Sequence, residues 1–96
     1  MRVSNINGIS DNACKCGSWL KHWEKFSGQA LTTFCPQVTC VQKPAVGAHV
    51  QRGNSGDSNW YIVPLCTAHN GQKGQSLDIS DSVNLVSANV SKTCGK

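Results

Sequence analysis

The stretch CPQVTC at residues 35–40 and the stretch CTAH at residues 66–69 decide the fold that we predict for this chain. Each stretch holds two soft or borderline metal ligands, and two such pairs from separate segments complete a tetrahedral zinc site at little cost in loop entropy. The second pair stands at a predicted helix start, where the positive end of the helix dipole favours a thiolate. The predicted zinc ligands are Cys35, Cys40, Cys66 and His69. The alternative is two buried free cysteines beside an unrelated surface histidine.

The length of the chain explains why a metal ion would be useful. A chain of 96 residues supports one domain, and a domain of this size buries too little apolar surface to be secure from packing alone. Its six cysteines are a conspicuous excess for that length. We therefore predict a single zinc-binding domain over residues 1–96.

Two helices are predicted from local signals. Apolar residues at helical spacing indicate a helix over residues 19–27, with Ser18 as its N-cap and Gly28 at its end. A second helix begins near Cys66, and the glycines that follow limit it to about two turns. Three polar residues of the first helix are expected away from its main apolar stripe, namely Lys21, His22 and Lys25.

Runs of β-branched and apolar residues predict the strands. Residues 45–50 and 60–65 form a predicted hairpin, and residues 77–79 and 83–90 are further β-like runs. Residues 31–41 are predicted as a β-like approach, the CPQVTC turn of a zinc knuckle and a β-branched exit at Val41. The predicted fold class is α+β. It is a small zinc-stabilised domain with a zinc knuckle, a β-hairpin and short helices.

A second tetrahedral metal site is a further prediction from the remaining cysteines. One turn of helix can bring a histidine back toward the CKC turn at residues 14–16. The candidate ligands are Cys14, Cys16, His22 and Cys94. The alternative is that these cysteines are ordinary thiols and that His22 lies on a solvated helix face.

Residues 35–73 resemble the core of the HNH, or His-Me finger, nucleases, in which a zinc knuckle precedes a hairpin and a helix. The stretch GAHV at residues 47–50 matches the end of the family's first strand. The resemblance implies that His49 is a general base that activates water, and that Asn70 stands where a ligand of the catalytic metal is expected. The alternatives for His49 are a packed or hydrogen-bonded strand histidine and a substitute zinc ligand.

The chain also departs from the family pattern at positions that matter for catalysis. Ala48 stands where an acidic ligand of the catalytic metal is common, and Tyr61 stands where an asparagine orients the histidine. Phosphodiester hydrolysis needs a cation to offset charge on the phosphate. The resemblance therefore implies a treble-clef fold with degraded or absent nuclease chemistry.

The charge of the chain sets the functional hypotheses. Nine Lys and Arg residues against five Asp and Glu residues give a net charge of +4, scattered along the chain, which fits an anionic partner. The first hypothesis is a non-enzymatic zinc module that binds a partner, with nucleic acid favoured over protein. The second is a metal-dependent nuclease that uses His49 as base, with Asn70 and an acid such as Asp57 as metal ligands.

The compartment affects how the cysteines are interpreted. The first ten residues hold no apolar stretch that resembles a signal peptide, and no later stretch is apolar enough to cross a bilayer. We therefore expect a cytoplasmic protein without a membrane partner, in which reduced thiols favour metal over disulfides. The third hypothesis is a small secreted effector with disulfides, one of them involving Cys94.

Overall fold

The computed structural model of the chain describes residues 1–6, 18–52, 59–72 and 74–88. In these ranges the chain forms one antiparallel sheet and two short helices, which confirms the predicted α+β class. The elements are β1 (Arg2–Asn5), α1 (Trp19–Ser27), β2 (Val46–Arg52), β3 (Tyr61–Leu65), α2 (Thr67–Asn70), β4 (Ser76–Asp78) and β5 (Val86–Ser87).

The sheet is built around the predicted hairpin. Its strand order is β4-β1-β2-β3-β5, and each neighbouring pair is antiparallel. In the hairpin, His49 lies opposite Ile62 and Val46 lies opposite Leu65, so the hairpin prediction is confirmed. Strand β1, which no sequence pattern predicts, lies between β2 and β4 and buries Val3 and Asn5 completely.

Helix α1 has the predicted bounds because both of its caps are present. The Ser18 side chain accepts a hydrogen bond from the backbone N–H of Lys21 at 3.1 Å, and Gly28 ends the helix with a φ of 71°. Trp23 is fully buried, and its indole N–H donates to the carbonyl oxygen of Asn84 at 2.8 Å. The helix is therefore attached to both the sheet and the chain leading into β5.

The alternative that His22 lies on a solvated helix face is wrong. Its ring is fully buried, with centroids 5.0 Å from Trp19 and 5.1 Å from Phe26, and its Nε2 lies 2.9 Å from the carbonyl oxygen of Ser87. Position 22 is three residues after Trp19 and four before Phe26, so it shares their face of the helix. The buried face is wider than the apolar stripe that the sequence shows.

Helix α1 and helix α2 lie on opposite faces of the sheet. Alternate strand residues face opposite sides. Gly47 faces α1 so closely that a Cβ there would lie 2.6 Å from the backbone nitrogen of Leu20, and His49, two residues on, contacts Trp19 of α1. Val50 faces the other way together with its partner Asn5, whose side chain reaches the end of α2. The turn that carries Cys66 and His69 and the contacts of α1 therefore lie on opposite sides of the sheet.

Three predicted elements are shorter in the structure. No strand forms over residues 31–41, where the only β-type pairing among the described residues is the bridge between Gln37 and Ile79. The N–H of Cys40 closes the turn by donating to the carbonyl oxygen of Gln37. Helix α2 is one turn of four residues instead of about two turns. In the predicted run 83–90, the described residues form strand only at Val86–Ser87, since Asn84 hydrogen-bonds to residues at the end of α1.

Candidate metal centre

The four predicted ligands come together in the structure. One ligand atom from each of them lies within 4.8 Å of all the others, and these atoms are the sulfurs of Cys35, Cys40 and Cys66 and a ring nitrogen of His69. The Sγ atoms of Cys40 and Cys66 are 3.8 Å apart. Nδ1 of His69 lies 3.1 Å from the Cys66 sulfur and 3.6 Å from the Cys35 sulfur. The cluster can hold a metal ion.

The spacing of the sulfurs fits metal coordination and not a disulfide. A tetrahedral ion bonded to sulfur at about 2.3 Å places two thiolates about 3.8 Å apart, which matches the separation of Cys40 and Cys66. A disulfide needs a sulfur separation of about 2.0 Å. Among the described residues, Cys35, Cys40 and Cys66 are all free thiols.

The first ligand pair, Cys35 and Cys40, lies on a turn that is held by backbone hydrogen bonds. The backbone N–H of Cys40 donates to the carbonyl oxygen of Gln37 at 2.9 Å, which closes the turn. The N–H of Cys35 donates to the carbonyl oxygen of Gln42 at 2.7 Å, and the N–H of Gln42 donates to the Cys40 sulfur at 3.4 Å. These hydrogen bonds fix the turn on which both sulfurs lie.

The second ligand pair lies in the first turn of α2. Cys66 is the N-cap residue, and its sulfur accepts a hydrogen bond from the backbone N–H of His69 at 3.4 Å. Because the two residues are three positions apart at a helix start, both side chains lie on the same side of the turn. The short helix thus supplies a sulfur and a ring nitrogen as one unit.

The thiols of Cys35 and Cys66 differ in acidity. Burial raises the pKa of Cys35 to about 11. Burial also acts to raise the pKa of Cys66, but hydrogen bonds from the His69 backbone N–H and from the thiols of Cys40 and Cys35 outweigh it, so that this pKa lies below its ordinary value. Since a metal binds thiolates, binding must displace the Cys35 proton, and the apparent metal affinity rises with pH.

Asn5 is a residue of this centre that the sequence did not indicate. It is fully buried on β1, and its Nδ2 lies 2.8 Å from the carbonyl oxygen of His69, 3.0 Å from that of Asn70 and 3.1 Å from that of Gln72. The contacts span 64 to 67 positions of the chain. Sequence patterns report local spacing, so no signal at position 5 could have revealed them.

The two residues that the nuclease resemblance singles out are not brought together. His49 is 7% exposed on the α1 face of the sheet, with ring centroids 4.8 Å from Trp19 and 6.2 Å from Trp60. Asn70 is at the end of α2, on the other face, where its carbonyl oxygen accepts from Asn5. The ring of His49 is therefore packed against aromatic side chains, and His49 is not one of the four residues of the cluster.

The second predicted metal site falls mostly outside the described residues. This applies to Cys14, Cys16 and Cys94, and also to Asp57 of the nuclease hypothesis. His22, its remaining member, faces the carbonyl oxygen of Ser87 with Nε2. The second site stays a prediction.

Comparison with known proteins gives a short result. No protein family, curated protein or solved structure matches this chain. The likeness to HNH nucleases therefore remains a resemblance carried by motifs. In the described ranges, no helix has the length and apolar character needed to cross a membrane.

Proposed function

We propose that the chain is a treble-clef zinc module in which Zn²⁺ is a structural element of the fold. The observation that carries this proposal is the convergence of three cysteine sulfurs and one histidine nitrogen within 4.8 Å. Three thiolates and an imidazole in a tetrahedron are typical of structural zinc sites. The chain order of knuckle turn, hairpin and ligand-bearing helix supports the treble-clef assignment.

The same geometry supports a role without catalysis. Four protein ligands complete a tetrahedral site and leave no open position for substrate or water. His49 and Asn70 lie on opposite faces of the sheet, and a hydrolytic site needs its base and its metal ligand close to one phosphate. We assign His49 to packing between Trp19 and Trp60.

The proposed partner is nucleic acid, bound mainly through its phosphates. Lys21, Lys25 and Lys43 are exposed, and the ion pairs found among the described residues involve none of them. Arg2, in contrast, pairs with Asp78 at 3.3 Å. Lysines without acidic partners are available to phosphate oxygens, and contacts of this type carry little sequence information.

Binding to nucleic acid is expected to be weak, strongly salt-dependent and nearly independent of sequence. Fluorescence anisotropy of labelled oligonucleotides at increasing salt measures the slope of log K against log salt, which is about −0.9 per phosphate contact on duplex DNA. Replacing Lys21 and Lys25 with Gln should make the slope shallower by about one to two units. The matched control is Arg2→Gln, which removes a cation already paired with Asp78 and should change the slope less.

Two results would contradict the proposal of weak, phosphate-mediated binding. One is the absence of binding even at low salt, which would leave a protein as the proposed partner. The other is tight binding that persists at high salt, because a few lysine contacts cannot produce it.

A further inference from the structure

A single side chain on β1 ties the first strand to the turn that carries His69. Asn5 donates through Nδ2 toward the carbonyl oxygens of His69, Asn70 and Gln72, at 2.8, 3.0 and 3.1 Å. Its backbone is attached to the same region, because its N–H donates to Gln75 at 2.8 Å and its carbonyl oxygen accepts from Gly74 at 2.6 Å. The end of α2 is thus fixed to the sheet through one residue.

Helix α2 needs such an external contact. It is a single turn of four residues, and a helix this short does not form stably by itself. The last carbonyl groups of a helix have no partners within the helix. Asn5 supplies a donor to the carbonyl groups of His69 and Asn70, which belong to this turn.

The buried side-chain amide of Asn5 forms hydrogen bonds to the α2 turn through its nitrogen and not through its oxygen. Its Nδ2 contacts the carbonyl groups of residues 69, 70 and 72, whereas its Oδ1 is buried and has no hydrogen-bond partner among the residues that the structure describes. An unsatisfied buried oxygen costs stability. An apolar residue would avoid that cost, so the Nδ2 contacts are the feature that an asparagine provides here.

We propose that Asn5 is a positioning residue of the metal centre, which acts by holding the α2 turn so that Nδ1 of His69 is directed at the metal. This inference rests on the proposed metal site. The knuckle ligands Cys35 and Cys40 are held by their own turn hydrogen bonds and do not depend on Asn5. Cys66 directly follows Leu65 of β3, whose carbonyl oxygen accepts from the N–H of Ala45 at 2.9 Å, so the sheet holds that ligand. The effect of Asn5 on metal binding is therefore expected to pass through His69.

A double-mutant cycle on metal affinity tests this inference. Zn²⁺ affinity is measured by chelator competition for the wild-type chain, Asn5→Ala, His69→Ala and the double variant. His69→Ala keeps the three sulfur ligands, and the competition is run at zinc concentrations at which circular dichroism shows each variant folded; if His69→Ala does not fold, His69→Gln takes its place in the cycle. Asn5→Ala should weaken binding about 10- to 100-fold in the wild-type background, as residues that orient a metal ligand commonly do. In the His69→Ala background the same change should cost less than about threefold, because its target is absent.

The absorption spectrum of the Co²⁺-loaded chain reports on the ligands around the metal, and a general loss of stability does not change it while the chain stays folded. Asn5→Ala should shift the spectrum toward that of His69→Ala, since the histidine is then held less firmly at the metal. The matched control is Val3→Ala, because Val3 is another fully buried side chain of β1. A valine side chain forms none of the hydrogen bonds that Asn5 makes to residues 69, 70 and 72. Val3→Ala should lower the melting temperature and leave the spectrum unchanged.

The possible results separate this inference from the proposed function. If the wild-type chain binds metal and Asn5→Ala behaves like Val3→Ala, or loses equal affinity in both backgrounds, the inference is wrong and the metal centre stands. If the wild-type chain binds neither Zn²⁺ nor Co²⁺, the metal centre fails and the inference fails with it. If Asn5→Ala does not fold, Asn5→Ser takes its place in the same cycle and is judged by the same two outcomes.

Discussion

Cys66→Ser is expected to unfold the chain at ordinary temperature. Apparent zinc binding free energies of about 10 kcal/mol or more are coupled to folding in small metal modules, and this is comparable to the whole stability of a small domain, about 5–15 kcal/mol. A serine hydroxyl is a poor zinc ligand at neutral pH. Cys66 is also buried, so the substitution leaves an incomplete site inside the fold.

Circular dichroism and thermal melting measure this effect. Cys35→Ser and addition of a strong chelator to the wild-type chain should have the same outcome, because each empties the same site. The matched control is Thr67→Ala, an exposed position next to Cys66, which should melt like the wild type. Unchanged melting in both cysteine variants and in the chelated protein would contradict a structural role for the metal.

Trp23→Ala is expected to lower the free energy of unfolding by about 3–5 kcal/mol, as large-to-small changes at a buried tryptophan do. The indole is fully buried and its N–H is bonded to the Asn84 carbonyl oxygen. It lies on α1, across the sheet from the metal-binding turn. The folded variant should therefore keep its metal, unlike Cys66→Ser.

Chemical denaturation at a fixed excess of zinc measures the loss at Trp23. Phe26→Ala is the control on the same helix, because Phe26 is 39% exposed, and its cost should be about 1 kcal/mol. Equal losses in the two variants would mean that α1 does not pack as described. Loss of metal from folded Trp23→Ala would mean that the packing of α1 on one face of the sheet also stabilises the metal site on the other face.

The parts of the fold that the sequence predicted are those with local signals. Ser18 and Gly28 mark the ends of α1 by their capping chemistry. The hairpin of β2 and β3 follows from two β-branched runs that pair with each other. The ligand pairs were visible because short spacing between soft ligands is itself the pattern.

The parts that escaped prediction depend on contacts between distant positions. Strand β1 has only four residues, and the role of Asn5 depends on carbonyl groups more than 60 positions away. His22 is polar by type, yet it is buried because β5 covers its side of α1. Hydrophobic periodicity cannot report contacts of this kind.

The metal content of the purified chain tests the central claim most directly. Native mass spectrometry and elemental analysis should find one zinc ion bound by Cys35, Cys40, Cys66 and His69, lost in Cys66→Ser, and a second ion only if the site predicted at Cys14, Cys16, His22 and Cys94 also forms. A folded wild-type chain that carries no zinc, and takes up none when zinc is added, would contradict the account.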